Sequence, residues 1–222
     1  MREDKSTTKI IAVFDASAST DGTSLNVCLF PGPNLLSKIF DILLRFRLNK
    51  ITIVADIKQA FLNIDIHKED QNYLRFLWYD TERPDSTIVI FRFLRVVFGL
   101  TCSPFLLNGT IRHHLSQYLC SHKEFVSKFL DDLYVDDTTS GCTTVSEGKG
   151  FFRNASKILK AGAFELKKWK SNDPQLQAFF DEQNCVHTHG TGDDITFSQT
   201  QLGTSDSQQN RVLGTLQLEH QI

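Results

Sequence analysis

The chain has 222 residues, 41% of them apolar and 23% charged, with only five prolines, a composition that supports one folded domain or two small lobes and excludes a disordered tail. Its 24 lysines and arginines against 26 aspartates and glutamates leave a net charge of −2, so any grip on a nucleic acid has to come from a local patch. No uninterrupted run of about 18 apolar residues exists, and the polar stretch Met1 to Ser6 lacks the apolar segment of a secretory signal, so no membrane partner is expected.

Ile10 to Phe14 reads as a short buried strand that breaks at the Ser/Asp/Gly cluster from Asp15 to Gly22. After a second break at Pro31 to Pro33, Leu35, Leu36, Ile39, Phe40, Leu43, Leu44 and Arg47 fall at helical spacing. They predict a helix ending near Asn49, with its Leu-Leu pairs along one face. Ile51 to Ala55 is a β-rich apolar run ending in Asp56, and Phe91 to Val97 is a second strand-like segment before Gly99. Ser103 and Pro104, a cap residue and a first-turn proline, open a helix to about Tyr118. Phe125 to Tyr134 and Thr138 to Ser140 bracket a tight acidic turn and predict a β-hairpin. Glu147 to Ala161 reads as an amphipathic helix. From about Asp181 to Asn210 the chain is polar and predicts an exposed loop, ahead of the short apolar run Arg211 to Leu218. Strands and helices mixed without regular βαβ alternation predict an α+β fold, of which a split βαβ palm with an antiparallel sheet is one member. Five cysteines, an odd number with no CxxC pair, read as reduced intracellular thiols. Cys185, His187 and His189 carry zinc-ligand chemistry but have no fourth ligand nearby.

The chemistry concentrates in aspartates. Asp131, Asp132, Asp136 and Asp137 lie within seven residues of an apolar segment. Like charges this close raise one another's pKa and strain the fold unless a cation sits between them. A solvated acidic turn would also gather aspartates, but the flanking Leu130, Leu133, Tyr134 and Val135 make a very apolar frame for one. Asp131 and Asp132 read as the strand approach, Asp136 and Asp137 as the hairpin tip. Asp56 ends another apolar strand 80 residues before Asp136. If the two strands lie side by side, these carboxylates can share hard divalent cations suited to phosphoryl chemistry; Asp56 could equally be a helix N-cap.

Four segments, Ala55 to Phe61, Val97 to Phe105, Tyr134 to Asp137 and Ala163 to Asn172, stand in the order of motifs A, B, C and D of reverse transcriptases, and the set resembles the Bel/Pao branch of LTR retrotransposons. Ser6 to Lys9, Val13 to Ser17, Ser24 to Asn26 and Gly32 to Leu35 resemble that branch's fingers, and Val212 to Gly214 its primer grip. The resemblance implies right-hand polymerase fingers and palm: fingers over 1–50, palm over 51–175 with 66–96 returning to the fingers, a polar loop over 176–210 and a primer-grip-like end over 211–222. It implies that Asp56, Asp136 and Asp137, with the backbone carbonyl of Ile57, hold two Mg²⁺ ions, or Mn²⁺ in their place. Phe61 would exclude the ribose 2′-hydroxyl sterically, Phe98 and Gly99 would lie beneath the incoming base, and one lysine among Lys167, Lys168 and Lys170, for which Lys168 is taken, would meet the pyrophosphate; the plain alternatives are a core phenylalanine, a turn glycine and a solvated basic face. Arg2, Lys5 and Lys9 would reach the triphosphate, although Ile10 to Ala12 stand where relatives commonly carry an arginine. The implied partners are an RNA or DNA template with its primer and a dNTP, in an intracellular, cytoplasmic setting by analogy. Thumb and RNase H segments are expected to be absent from this chain, so the activity reading has a rival: a non-catalytic nucleic-acid-binding remnant of a retrotransposon polyprotein.

Overall fold

The computed structural model describes residues 11–20, 22–79, 88–186, 197–199 and 215–219. In chain order these form β1 (Ile11–Asp15), β2 (Ser19–Thr20), β3 (Thr23–Ser24), α1 (Leu25–Cys28), α2 (Ile39–Leu48), β4 (Ile51–Ile57), β5 (Arg75–Tyr79), β6 (Ile88–Phe93), α3 (Ser103–Ser116), α4 (Lys123–Asp132), β7 (Leu133–Tyr134), β8 (Asp137–Cys142), α5 (Val145–Ala161), β9 (Leu166–Ser171), α6 (Pro174–Val186), β10 (Phe197–Gln199) and β11 (Thr215–Glu219). Single turns of 3₁₀ helix lie at Ala60–Asn63 and Gln71–Tyr73. No described helix is long and apolar enough to cross a membrane. The chain divides into two compact units, the first taking 1–32, 64–103 and 193–222 and the second 33–63 and 104–192.

In the first unit β5 and β6 form an antiparallel hairpin with Phe76 opposite Phe91, and β10 adds to the other edge of β6. β1 pairs separately with β11. The core is aromatic: the Phe93 ring stacks on Phe76 at 4.6 Å and meets Phe14 edge-on at 5.4 Å, and all three are buried. Each such ring contributes about 2 kcal/mol by leaving water. The expected strand 91–97 is displaced toward the N-terminus. β6 stops at Phe93 because the chain then pairs with 64–66, through Ile66 N–H to Leu94 and Val96 N–H to Ile64 at 2.9 and 3.0 Å. An Arg95–Asp65 ion pair of 3.1 Å closes that corner.

The second unit is built on a four-stranded antiparallel sheet in the order β7-β8-β4-β9. Strand β4 alternates strictly. Ile51, Ile53, Ala55 and Ile57 are buried in the core, and Thr52, Val54 and Asp56 point to the other face. The helices bring Leu107, Ile111, Phe129, Phe151, Leu159 and Phe180 into the same core. Helix α5 starts two residues before the expected Glu147, where the Thr144 hydroxyl accepts from the Glu147 N–H while the Glu147 carboxylate accepts from the Thr143 N–H at 3.0 Å, a reciprocal cap. Trp169 on β9 packs against Phe152 and Phe180 at 4.8 and 5.4 Å.

Four expectations are corrected here. The segment before the acidic turn is helix α4 through Asp132, not a strand. Val126, Phe129 and Asp132 recur every three residues on its buried side, and only Leu133 and Tyr134 extend. Helix α2 begins at Ile39, because Asn34 Oδ1 accepts from the Leu36 N–H and Arg112 donates to the Leu35 carbonyl, which tie 34–36 into a loop. Only Ile42 of α2 is buried; Ile39, Phe40, Leu43, Leu44 and Leu48 are exposed. Ser103 is not a cap, since its hydroxyl donates to the Val97 carbonyl at 2.7 Å. The expected polar loop over 176–210 opens as α6, held by buried Leu176 and Phe180, and of the remainder Phe197–Gln199 is strand.

Candidate active site

Strand register brings the aspartates together. β4 pairs with β8 so that Asp56 lies opposite Asp137, and the Ile57 N–H donates to the Asp136 carbonyl at 2.8 Å. The link between β7 and β8 is as short as a hairpin allows, with Tyr134 paired to Asp137 and only Val135 and Asp136 between them. Val135 takes φ +54°, a left-handed conformation unusual for a β-branched residue and the one a type II′ hairpin asks of its first central position. Such strain persists only where the surroundings over-determine it, and here it fixes Asp136 beside the end of β4.

The electrostatics follow from that packing. Burial raises the Asp136 pKa, and the Asp137 and Asp56 carboxylates raise it further against the opposing effects of a backbone hydrogen bond and Lys168. Asp137 is likewise raised by burial and then by Asp56. A cation stands against them: Lys168 Nζ lies 2.6 Å from Asp56 Oδ2. The other oxygen, Asp56 Oδ1, is buried with no hydrogen-bond partner among the described residues.

Among the described residues, no three carboxylate, imidazole or thiol side chains stand together as a formed metal cage. The donor chemistry nevertheless fits a divalent cation. Carboxylates that repel one another, one with an orphaned buried oxygen, are what a hard cation satisfies. Asp56, Asp136 and Asp137 are the residues that would hold it, with Ile57 adjoining through its backbone.

The other expected residues divide between the units. Phe61 is buried in the second unit, in the 3₁₀ turn that follows β4. Phe98 and Gly99 belong to the first unit, where Phe98 is exposed and Gly99 takes φ +96°. A Cβ at Gly99 would lie 2.0 Å from the Phe14 carbonyl oxygen, so only glycine fits. Asn26 holds this loop from both sides, donating to the Gly99 carbonyl at 2.8 Å and accepting from the Thr101 N–H at 2.9 Å. Nothing local in the sequence marks that role, because the contact spans more than 70 residues. Of the three lysines, Lys168 meets Asp56 and Lys167 pairs with Glu165 at 2.8 Å, while Lys170 lies opposite Val54. Arg2, Lys5 and Lys9, His187 and His189, and Val212 to Gly214 lie outside the described residues.

A family model described as "Reverse transcriptase (RNA-dependent DNA polymerase)" matches residues 17–187. No curated protein matches the chain. Among solved structures it is similar to one titled "Structure of the foamy viral protease-reverse transcriptase dRH in complex with ds DNA", at 22% identity and a TM-score of 0.47, over 63% of this chain and 21% of that one.

Proposed function

We propose, because this chain belongs to the reverse transcriptase family, that its second unit carries the nucleotidyl-transfer site of an RNA-directed DNA polymerase, adding deoxynucleotides to a primer 3′-hydroxyl. The observation that carries this reading is the register that sets Asp56 opposite Asp137, with Asp136 bonded through its carbonyl to the next residue of β4. In this reading Asp56, Asp136 and Asp137, with the Ile57 carbonyl, hold two Mg²⁺ or Mn²⁺ ions. Such ions, when bound, activate the attacking hydroxyl and stabilise the leaving pyrophosphate.

The chain's own part is positioning. The strained turn at Val135 and the β4–β8 register fix the carboxylates before substrate arrives, which spares their reorganisation during reaction. Phe61, buried on the turn after Asp56, matches the family's steric limit on the sugar, and Phe98 and Gly99 of the first unit match its base-supporting loop by the resemblance of their segment alone. Lys168 offers its ammonium to the departing phosphates. The partners are a primed RNA or DNA template and a dNTP. The finer assignment, to the Bel/Pao branch of LTR retrotransposons, is supported by the ordered segments around Asp56, Gly99, Asp136 and Lys168.

Primer extension on poly(rA)/oligo(dT) with Mg²⁺ or Mn²⁺ tests the reading. Product from the wild type that is lost with Asp136→Ala is the expected result. Equal product from both sinks the catalytic claim, and template binding with no extension by the wild type favours the non-catalytic remnant.

A further inference from the structure

The β4–β9 pairing contains an irregularity that falls on the candidate site. Asp56 lies opposite Lys167 and Val54 opposite Lys170, with a register shift between them, so Lys168 and Trp169 together face the single residue Ala55. This is a β-bulge, one extra residue on β9. Its effect on the side chains is definite. In an unbroken strand Leu166 and Lys168 would share the core face and Trp169 would point away. With the extra residue Leu166 and Trp169 are both buried, and Lys168 is released to the face that carries Asp56. Lys168 itself takes φ +53°, a left-handed conformation that L residues other than Gly, Asn and Asp seldom adopt. A strained residue at a bulge beside a cluster of like charges points to a role for its side chain.

That side chain makes a 2.6 Å ion pair with Asp56 Oδ2, with Lys168 54% exposed and Asp56 23%. The ammonium occupies one of the two oxygens that the proposed metal site needs, while the other oxygen has no partner among the described residues. We propose that Lys168 is the counter-ion of the metal-free site: the bulge on β9 delivers its ammonium to Asp56, where it competes with a divalent cation for that carboxylate and so sets the cation affinity. This rests on the reading of Asp56, Asp136 and Asp137 as the metal ligands, and it differs from a pyrophosphate contact in acting before any nucleotide is bound. Lys168 has to swing off Asp56 for Oδ2 to ligate. Its side chain, half in solvent and anchored by a single pair, is free to do so.

The test is Mn²⁺ titration of the full chain, reading free Mn²⁺ by electron paramagnetic resonance without nucleotide or template. Wild type is compared with Lys168→Met, Lys168→Gly and Asp136→Asn. Lys168→Met removes the ammonium, and Lys168→Gly removes it while relieving the left-handed strain, which keeps a folded variant in hand if the first fails to fold. Both are expected to bind Mn²⁺ about fivefold more tightly than wild type, the scale of competition from a half-exposed ion pair. Lys168→Met is also expected to melt below wild type in EDTA, with the gap closing as Mn²⁺ is added. Unchanged or weaker Mn²⁺ binding in both Lys168 variants, with binding lost in Asp136→Asn, overturns the counter-ion role and leaves the metal site standing. No Mn²⁺ binding by any of the four overturns the metal site and the counter-ion role with it.

Discussion

Two Asp-Asp pairs stand in this chain with three residues between them, and the fold treats them differently. Asp132, at the end of α4, has a side chain only 6% exposed and stands beside two cations, Lys128 Nζ at 3.3 Å from the preceding turn and Arg45 Nε at 3.8 Å from α2, ion pairs that leave Asp132 Oδ2 and Arg45 Nε without a hydrogen-bond partner among the described residues. The Asp131 carbonyl accepts a further hydrogen bond from Arg45. These groups also line a cleft of 710 Å³ between α2 and α4, to which Asp56, Asp136 and Asp137 do not contribute. Asp136, in the turn that follows, and Asp137, which opens β8, lie near the Asp56 carboxylate, and burial with that like charge pushes their pKa values up against the opposing effect of Lys168. Identical dipeptides therefore carry different meanings. Asp132 is paired within the scaffold, whereas burial and neighbouring carboxylates raise the pKa values of Asp136 and Asp137, the pattern of a candidate functional site.

The comparison breaks first at Asp136. Asp136→Ala is expected to lower metal-dependent incorporation about a thousandfold, as removal of a group that acts as part of a unit does, while thermal melting stays unchanged or rises. A melting temperature that falls instead would make Asp136 a scaffold residue like Asp132. Asp132→Ala is expected to do the reverse, costing about 2 kcal/mol in urea unfolding because two cations lose their partner, with the cation affinity of the site unchanged.

The pH dependence sharpens the contrast. Because both folded-state values at Asp136 and Asp137 lie above that of an unfolded aspartate, the native state holds more protons across that window. The metal-free protein therefore loses stability as pH rises through it. Asp137→Asn removes part of that loss. Its metal-free melting temperature is expected to exceed that of wild type near pH 7 and to match it below the unfolded aspartate's pKa of about 3.9. A variant that melts below wild type at neutral pH would show that the charge on Asp137 is favourable and the contrast false. The smallest effect belongs to Lys128→Ala, about 0.5 kcal/mol in urea, since that lysine is half exposed and Arg45 remains on Asp132.

Much of the site is legible in the order of the residues. The apolar run from Ile51 ending in Asp56 and the acidic turn after Tyr134 make the two carboxylate-bearing strand ends identifiable, although the turn expected over 135–137 closes over Val135 and Asp136 alone, with Asp137 already paired to Tyr134 in β8. Their pairing is expected only conditionally, because no local pattern states which strands are neighbours. The same limit explains the errors. Phe125, Val126, Phe129 and Leu130 are as compatible with a helix as with a strand, and the hairpin that follows them favours the wrong one. Leu35 and Leu36 fit a helix extending back to Pro33, but a hydrogen bond from Arg112, 77 residues away, holds them outside it.

By itself the sequence determined the chemistry: the aspartates, their placement at the ends of apolar strands, and the order of segments that places the chain in its family. Those features are local, written in side-chain alternation and turn length, and they hold whatever the rest of the chain does. The tertiary structure alone decided which charges are answered. That Arg45 and Lys128 converge on Asp132, and that a bulge 112 residues beyond Asp56 turns Lys168 and not Lys167 or Lys170 onto it, depend on register between distant strands and helices. Register is set by packing the whole core, where Trp169 had to be buried, and no stretch of neighbouring residues contains that information.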